Sequence, residues 1–318
     1  MWNPFHKHKN YVFNEGPVYS TSYHIAYESP GGKDLQKGIE QKMMELDNSL
    51  SVFNQNSTIS KINQNLSVKV DPLFKKCFKK AMHISSRTEG AFDLTVSPLV
   101  NAWGFGFKNK ETITQSLIDN LLQITGYRKI KLRMNSIKKE RPEIMLDASA
   151  IAKGLSVDLV AKYLHSKGCR NFMVEIGGEI FAKGINSNNI KWRIGISKPE
   201  DEIISFDENY QAIVSISNKA LATSGNYRNY YMEGDKKFSH TIDPRNGYPV
   251  EHGLLSATVL ADDCMTADAY ATAFMVLGVE KSLQIANNTR GIECFLIFSG
   301  ANNKYEQVYS KGFAKYLI

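Results

Sequence analysis

Little in this 318-residue chain marks a metal cage, a redox centre or a membrane span. Its four cysteines, Cys77, Cys169, Cys264 and Cys294, never fall at CxxC spacing, and none adjoins a histidine. That argues against a zinc site or a thioredoxin-like centre and leaves most of them as small apolar core residues. The longest apolar stretch, Ala269 to Val279, is short and is interrupted at Thr272, so it does not read as a bilayer-crossing helix. There is no GxGxxG, no GxxxxGK[ST] and no GxSxG, which removes the anchors of the standard dinucleotide, P-loop and α/β-hydrolase readings. Repeats and low-complexity tracts are absent too. With 42% hydrophobic and 22% charged residues, the composition is that of a folded globular chain rather than a disordered or fibrous one. The first ten residues read as a tail and lack the apolar run of a signal peptide. Two readings are open there: a cytoplasmic protein, or one whose export signal has been removed.

Charge is present but uneven. The net charge is +7, and the first 160 residues carry the whole excess, with 22 basic and 15 acidic side chains. Such a basic half suits an anionic partner, whether nucleic acid, a phosphate-bearing ligand or a membrane surface. It is equally what a set of solvated lysines looks like.

Periodicity predicts a mixed chain. A strand is expected over residues 17–28, and a helix over Leu35 to Phe53, where apolar residues recur every three or four positions. Pro72 opens a second helix, with Cys77 and Ala81 on the apolar side and Lys75, Lys76, Lys79 and Lys80 on the wet one. Residues 129–134 alternate as a half-buried strand. A third helix runs from about Ala148 to Lys167 and stops at Gly168. Short strands follow at Phe172–Ile176, Trp192–Ile196, Ala212–Ile216 and Ser256–Leu260, with a loop across Lys198–Asn209. A helix over Met265–Leu277, a short one after Gly278 and a strand at Cys294–Phe298 close the chain. Blocks of helix and strand without strict alternation argue for an α+β fold with mixed, largely antiparallel sheets and flanking helices.

Four constellations carry chemistry. Asp268 and Thr272 stand at i and i+4 on an otherwise apolar helix, so a carboxylate and a hydroxyl share one face and both can reach a hard cation such as Mg²⁺. A helix buried that far should not hold an unpaired carboxylate. Asp147 precedes the small residues Ala148 and Ser149 and can cap the helix that follows. Lys153, in its second turn, either faces a phosphate or is an ordinary helix lysine. His240 sits in Ser239-His240-Thr241-Ile242-Asp243-Pro244-Arg245-Asn246-Gly247, where turn chemistry places a histidine near a carboxylate. It can act as a general base, with Asp243 orienting it or only building the turn. Finally, glycines follow strands at Gly177-Gly178-Glu179, Ser224-Gly225-Asn226-Tyr227 and Trp103-Gly104-Phe105-Gly106. They permit tight turns or a close backbone approach to a ligand, and Trp103 and Phe105 can stack on a flat heterocycle.

Taken in order, these segments resemble the ApbE family, the FAD:protein FMN transferases. Glu89 to Leu99 with Trp103-Gly104-Phe105-Gly106 forms the first matching block, and Asp147 to Gly154 the second. Gly177-Gly178-Glu179, Ala222 to Tyr227, His240 to Pro249 and Ala267 to Ala273 complete a set of six over about residues 17–300. The resemblance implies an ApbE-like fold with its site between two lobes, as a single domain over 17–318 behind a tail at 1–16. It implies Mg²⁺-dependent transfer of the FMN half of FAD to a Thr or Ser hydroxyl of an acceptor flavoprotein, such as a respiratory or redox-complex subunit, with release of AMP. His240 matches the family's essential histidine. Tyr19, Trp103, Gly104, Phe105, Asp147, Lys153 and Ile242 match FAD contacts, and Ala150 (through its carbonyl), Asp268 and Thr272 match the metal ligands. Tyr19 stands where many members have Met, Ser20 replaces a Gly, and Ala271 replaces a second Asp found in some members. The resemblance also implies a cell-envelope location, periplasmic or lipid-anchored, and no nucleic-acid partner. Two rival functions are open: a flavin-binding or FAD-hydrolysing protein with no acceptor, which uses the same site, and a nucleic-acid-binding module built on the basic half, which leaves Asp268 and Thr272 unexplained.

Overall fold

The computed structural model describes residues 11–106, 111–199, 210–226, 230–233, 236–300 and 304–318. The first ten residues of the expected tail, most of the loop across 198–209 and Tyr227 lie outside the described residues.

An N-terminal hairpin begins the chain. β1 (Tyr11–Val18) pairs antiparallel with β2 (Thr21–Glu28), and Tyr19 and Ser20 form the turn at φ of 50° and 61°. Two consecutive residues with positive φ give the turn whose twist matches that of paired strands. The single strand expected over 17–28 is therefore two, and the expected tail is already strand from Tyr11 onward. Alternation conceals this hairpin because its turn has neither Gly nor Asn.

Three helices follow: α1 (Gln36–Leu50), α2 (Thr58–Asn63) and α3 (Pro72–Arg87). α1 stops at Leu50, so Phe53 lies beyond it, 73% exposed, and is not the helix's last apolar rung. α3 starts at Pro72 as expected, with the Asp71 carboxylate accepting from the backbone N–H of Phe74. Short helices α4 (Ser97–Ala102) and α5 (Gln115–Gln123) lead to the hairpin of β3 (Ile130–Arg133) and β4 (Ser136–Lys139). Then come α6 (Ser149–Ser166), β5 (Phe172–Ile176) and β6 (Glu179–Lys183), and the ribbon of β7 (Trp192–Ser197) and β8 (Tyr210–Ile216). β9 (Lys219–Gly225), the ribbon of β10 (Tyr230–Glu233) and β11 (Lys236–Ser239), and β12 (Leu254–Ala261) precede α7 (Cys264–Asn288). β13 (Glu293–Ser299) and β14 (Tyr305–Tyr309) finish the chain.

Eight strands form one antiparallel sheet in the order β1-β2-β5-β6-β9-β12-β13-β14. Both of its faces are covered. On β13, Cys294 and Leu296 point to the helical side, while Phe295 and Ile297 point to the other, where the β7–β8 ribbon supplies Trp192, Ile196 and Val214. Burial on both faces is why β12 and β13 read as continuous apolar runs rather than alternating ones. α6 and α7 cover the helical face, and α1 and α3 pack against them. Both α6 and α7 are apolar nearly all round, as a helix packed between sheet and other helices must be. α7 breaks at Gly278, with φ 77° and ψ −178°, so it is two helices end to end, as expected. Among the described residues no helix is long and apolar enough to cross a membrane.

A third, smaller apolar cluster of Leu99, Trp103, Ile118 and Ile242 joins α4, α5 and the turn after β11. The gap between this cluster and the sheet–helix body is where the sequence-predicted residues meet.

α6 and α7 touch most closely at Gly154, where any Cβ would collide with the backbone carbonyl of Cys264. Gly154→Ala is expected to lower stability by about 2–3 kcal/mol, the cost of overpacking against backbone that cannot turn aside. The midpoint of chemical unfolding checks it.

Candidate active site

The cleft between body and third cluster has a volume of about 440 Å³. α7 gives it Asp268 and Thr272, the start of α6 gives Asp147, Ala150 and Lys153, the end of β9 gives Ser224, and the turn after β11 gives His240 and Ile242. Residues almost 130 positions apart in sequence thus face one space.

Asp268 is 3% exposed, and its Oδ2 accepts from the backbone N–H of Gly154 at 2.9 Å. In an ordinary helix that N–H bonds the carbonyl four residues back, which here is Ala150. Burial pushes the Asp268 carboxyl above its usual range, with the Lys153 charge and the Gly154 N–H opposing. One turn along, Thr272 lies with its Oγ1 3.3 Å from Ser224 Oγ.

Lys153 does not lie open to the cleft as a lone cation. Its Nζ donates to both carboxylate oxygens of Glu179 at 2.7 Å, and the Gly177 carbonyl is 3.4 Å away. Burial works to depress the lysine, but Glu179 and Asp268 outweigh it and hold the ammonium above its ordinary value. Glu179 is itself 3% exposed, and burial, then Asp268, push it upward while Lys153 opposes. Two oxygens on one ammonium are the geometry of an ionised pair. The three groups form one buried cluster of two carboxyls and an ammonium beneath the cleft. The Gly177-Gly178 turn makes this possible: Gly177 has φ 60°, and a Cβ there would lie 2.8 Å from Thr21 Cγ2.

Asp147 stands one residue before the helix cap expected of it. Ala148 occupies the cap position, and Asp147 Oδ1 accepts from the N–H and the hydroxyl of Ser149. The carboxylate tightens the entry to α6 rather than capping its interior.

His240 is half-buried on the cleft wall, with its ring edge-on to Phe105 at 6.3 Å between centroids. Asp243 does not serve it as an orienting carboxylate. Its two oxygens take the Arg245 guanidinium at 2.8 and 2.6 Å and the Arg245 N–H at 2.9 Å, and the Gly247 N–H closes the turn on its carbonyl. Of the two roles open to Asp243, it builds the turn. The bridge between Ile242 and Pro249 fixes the base of that turn.

Trp103 is buried beneath the same turn. Its indole N–H donates to the Gly247 carbonyl at 2.9 Å, and its ring meets Tyr248 edge-on. Phe105, two residues on, lies against His240 at the edge of the cleft. Tyr19 stands apart, in an adjoining apolar hollow of about 230 Å³ that shares Ser149 and Lys153 with the cleft. Its hydroxyl donates to the Met43 carbonyl at 2.7 Å, and burial raises it strongly.

Comparison with known proteins bears on this arrangement. The model of the ApbE family matches residues 19–296. The chain belongs to the ApbE family. Among its relatives, the FAD:protein FMN transferase of Vibrio cholerae is 39% identical over 284 residues, covering 86% of this chain and 84% of that one. The protein of the same name from Escherichia coli is 31% identical, covering 90% and 82%. In three dimensions, the flavin transferase ApbE from Vibrio cholerae superposes with a TM-score of 0.85 at 36% identity, covering 96% of this chain and 99% of the other. The apo flavinyl transferase ApbE of Pseudomonas stutzeri gives 0.86 at 30% identity, covering 96% of each.

In this ApbE-family cleft, the residues that sequence reasoning passed over are Glu179 and Ser224. Both stand inside the quoted glycine-bearing segments. The available signal was an acidic residue directly after Gly-Gly at the head of a buried strand, where burial demands a partner.

Trp103→Phe tests the buttressing role. It is expected to lower turnover by disturbing the His240 turn while leaving the Kd for FAD within about twofold, since one neutral hydrogen bond is lost. Fluorescence titration with FAD checks it, and a large loss of affinity would return Trp103 to the ligand contacts.

Proposed function

We propose that this protein is an FAD:protein FMN transferase that moves the FMN half of FAD onto a Thr or Ser hydroxyl of an acceptor flavoprotein and releases AMP. One observation carries the reading: Asp268 with Thr272, the start of α6, and His240, from three separate sequence blocks, line a single cleft. Acceptance by a respiratory or redox-complex subunit and location at the cell envelope belong to the same proposal.

The donors fit a hard divalent cation. Asp268, Thr272 and the Ala150 carbonyl are all oxygen ligands, the type a hard divalent cation takes. Among the described residues there is no group of three or more His, Cys, Asp or Glu side chains that could hold a metal ion. Pyrophosphate oxygens and water would therefore complete the shell, consistent with Ala271 in place of a second carboxylate. Held by Asp268, Thr272 and the Ala150 carbonyl, a divalent cation such as Mg²⁺ would supply charge neutralisation for the pyrophosphate.

The protein's own groups do the rest. The start of α6 presents backbone donors toward anionic oxygens. The hollow lined by Tyr19, Leu50 and Val52 offers apolar walls for the flavin ring system. His240, as neutral imidazole, takes the proton of the acceptor hydroxyl as its oxygen attacks the FMN phosphorus. The phosphorus–oxygen bond to AMP breaks, and its electron pair leaves with AMP.

The test incubates the protein with FAD, with and without Mg²⁺, and an acceptor fragment bearing a target Thr. AMP release and in-gel flavin fluorescence are read together. Mg²⁺-dependent AMP with a fluorescent acceptor band is expected. AMP with free FMN and no band would instead make the protein an FAD hydrolase. His240→Ala should bind FAD normally and transfer it about 100-fold or more slowly, the usual contribution of a general base. Asp268→Asn should abolish Mg²⁺-dependent turnover while far-UV circular dichroism stays that of the parent.

A further inference from the structure

Glu179 is a buried acid that the proposed reaction leaves without a task. We propose that it is a positioning residue that draws Lys153 away from Asp268 and thereby sets how tightly the cleft holds a divalent cation. The inference rests on the cation assignment made above.

Three observations support it. Glu179 is 3% exposed, and such a carboxylate is retained only against a compensating charge. That charge is Lys153, with Nζ 2.7 Å from both Glu179 oxygens. Asp268, also 3% exposed, accepts instead a backbone N–H, that of Gly154, which brings no full charge with it. The local backbone is shaped to keep this division. The Lys153 stem runs beside Gly177, with Cδ 3.3 Å from where a Cβ would be, and the Gly177 carbonyl faces Nζ. Lys153 and Asp268 line the same cleft and influence one another electrostatically. An ammonium released from Glu179 therefore has Asp268 as its next carboxylate. Paired there, it would compete with any cation for the one carboxylate among the proposed ligands.

The test is uptake of Mn²⁺, followed by loss of the free-ion electron paramagnetic resonance signal, on FAD-saturated protein with no acceptor present. Glu179→Gln is expected to weaken Mn²⁺ binding by about tenfold or more, the usual effect of losing a group behind a metal ligand. The double variant Lys153→Met/Glu179→Gln is expected to recover most of that loss, because the competing ammonium is gone. Lys153→Met alone is expected to bind Mn²⁺ more tightly than the parent. Glu179→Gln with parental affinity would overturn the role. A double variant as weak as Glu179→Gln would also overturn it, since Glu179 would then act on the fold and not through Lys153. Should Glu179→Gln fail to fold, Lys153→Met with unchanged affinity would do the same. A parent protein that takes up no Mn²⁺ would sink the cation assignment itself, an outcome distinct from the others.

Discussion

The structure turns on one buried carboxylate. Asp268 sits on a helix that is apolar on nearly every side, packed between a sheet and two other helices. A charge in that place is costly unless something compensates for it. The compensation comes from α6: a backbone N–H at Gly154 and the charge of Lys153 one residue earlier. For that N–H to arrive, α6 and α7 must approach until Gly154 meets the Cys264 carbonyl, which only glycine allows. The entry to α7 is held from the same helix, where Asp158 accepts from the N–H groups of Cys264 and Met265. The fold and the charged floor of the cleft are thus one set of contacts.

The two walls of the cleft are built differently, and the difference suits their work. The floor is rigid, made of helix and central strand with little accessible surface. The opposite wall is a turn, closed by its own backbone bonds, clamped by Arg245 on Asp243 and propped by the Trp103 indole. His240, the general base we propose, stands on this wall, half-buried. Groups that must hold charge in fixed positions belong on the floor, where the surroundings amplify electrostatic effects.

The basic excess of the first half is partly consumed by the fold. Lys75 donates to Asn135, and Lys80 binds Asp263 and Thr266 at the head of α7. Lys129 donates to the Leu122 and Gln123 carbonyls, and Lys139 to carbonyls on both sides of its strand. A count of charges reads these as one cationic face. In three dimensions they are separate tethers between elements.

Local signals in the sequence settled the long helices, the start at Pro72, the break at Gly278 and the buried central strands, because each depends on neighbours within one or two turns. They also singled out residues that the structure brings to one cleft: a carboxylate and hydroxyl four apart on an apolar helix, and a histidine on a proline–glycine turn. The hairpin at Tyr19 and Ser20 escaped because ordinary side chains occupy its positive-φ turn. The end of α1 escaped because Phe53 continues the apolar spacing after the helix has stopped. Pairings across the chain were beyond local reading: Lys153 with Glu179, Gly154 with Asp268, Trp103 with Gly247. Side-chain type states what a residue can bond, whereas its partner is whichever group the sheet order and the α6–α7 contact bring within 3 Å. Thus composition and spacing determined the ingredients of the cleft, and the tertiary structure alone decided that Asp243 bonds its own turn, Trp103 the Gly247 carbonyl and Glu179 a lysine.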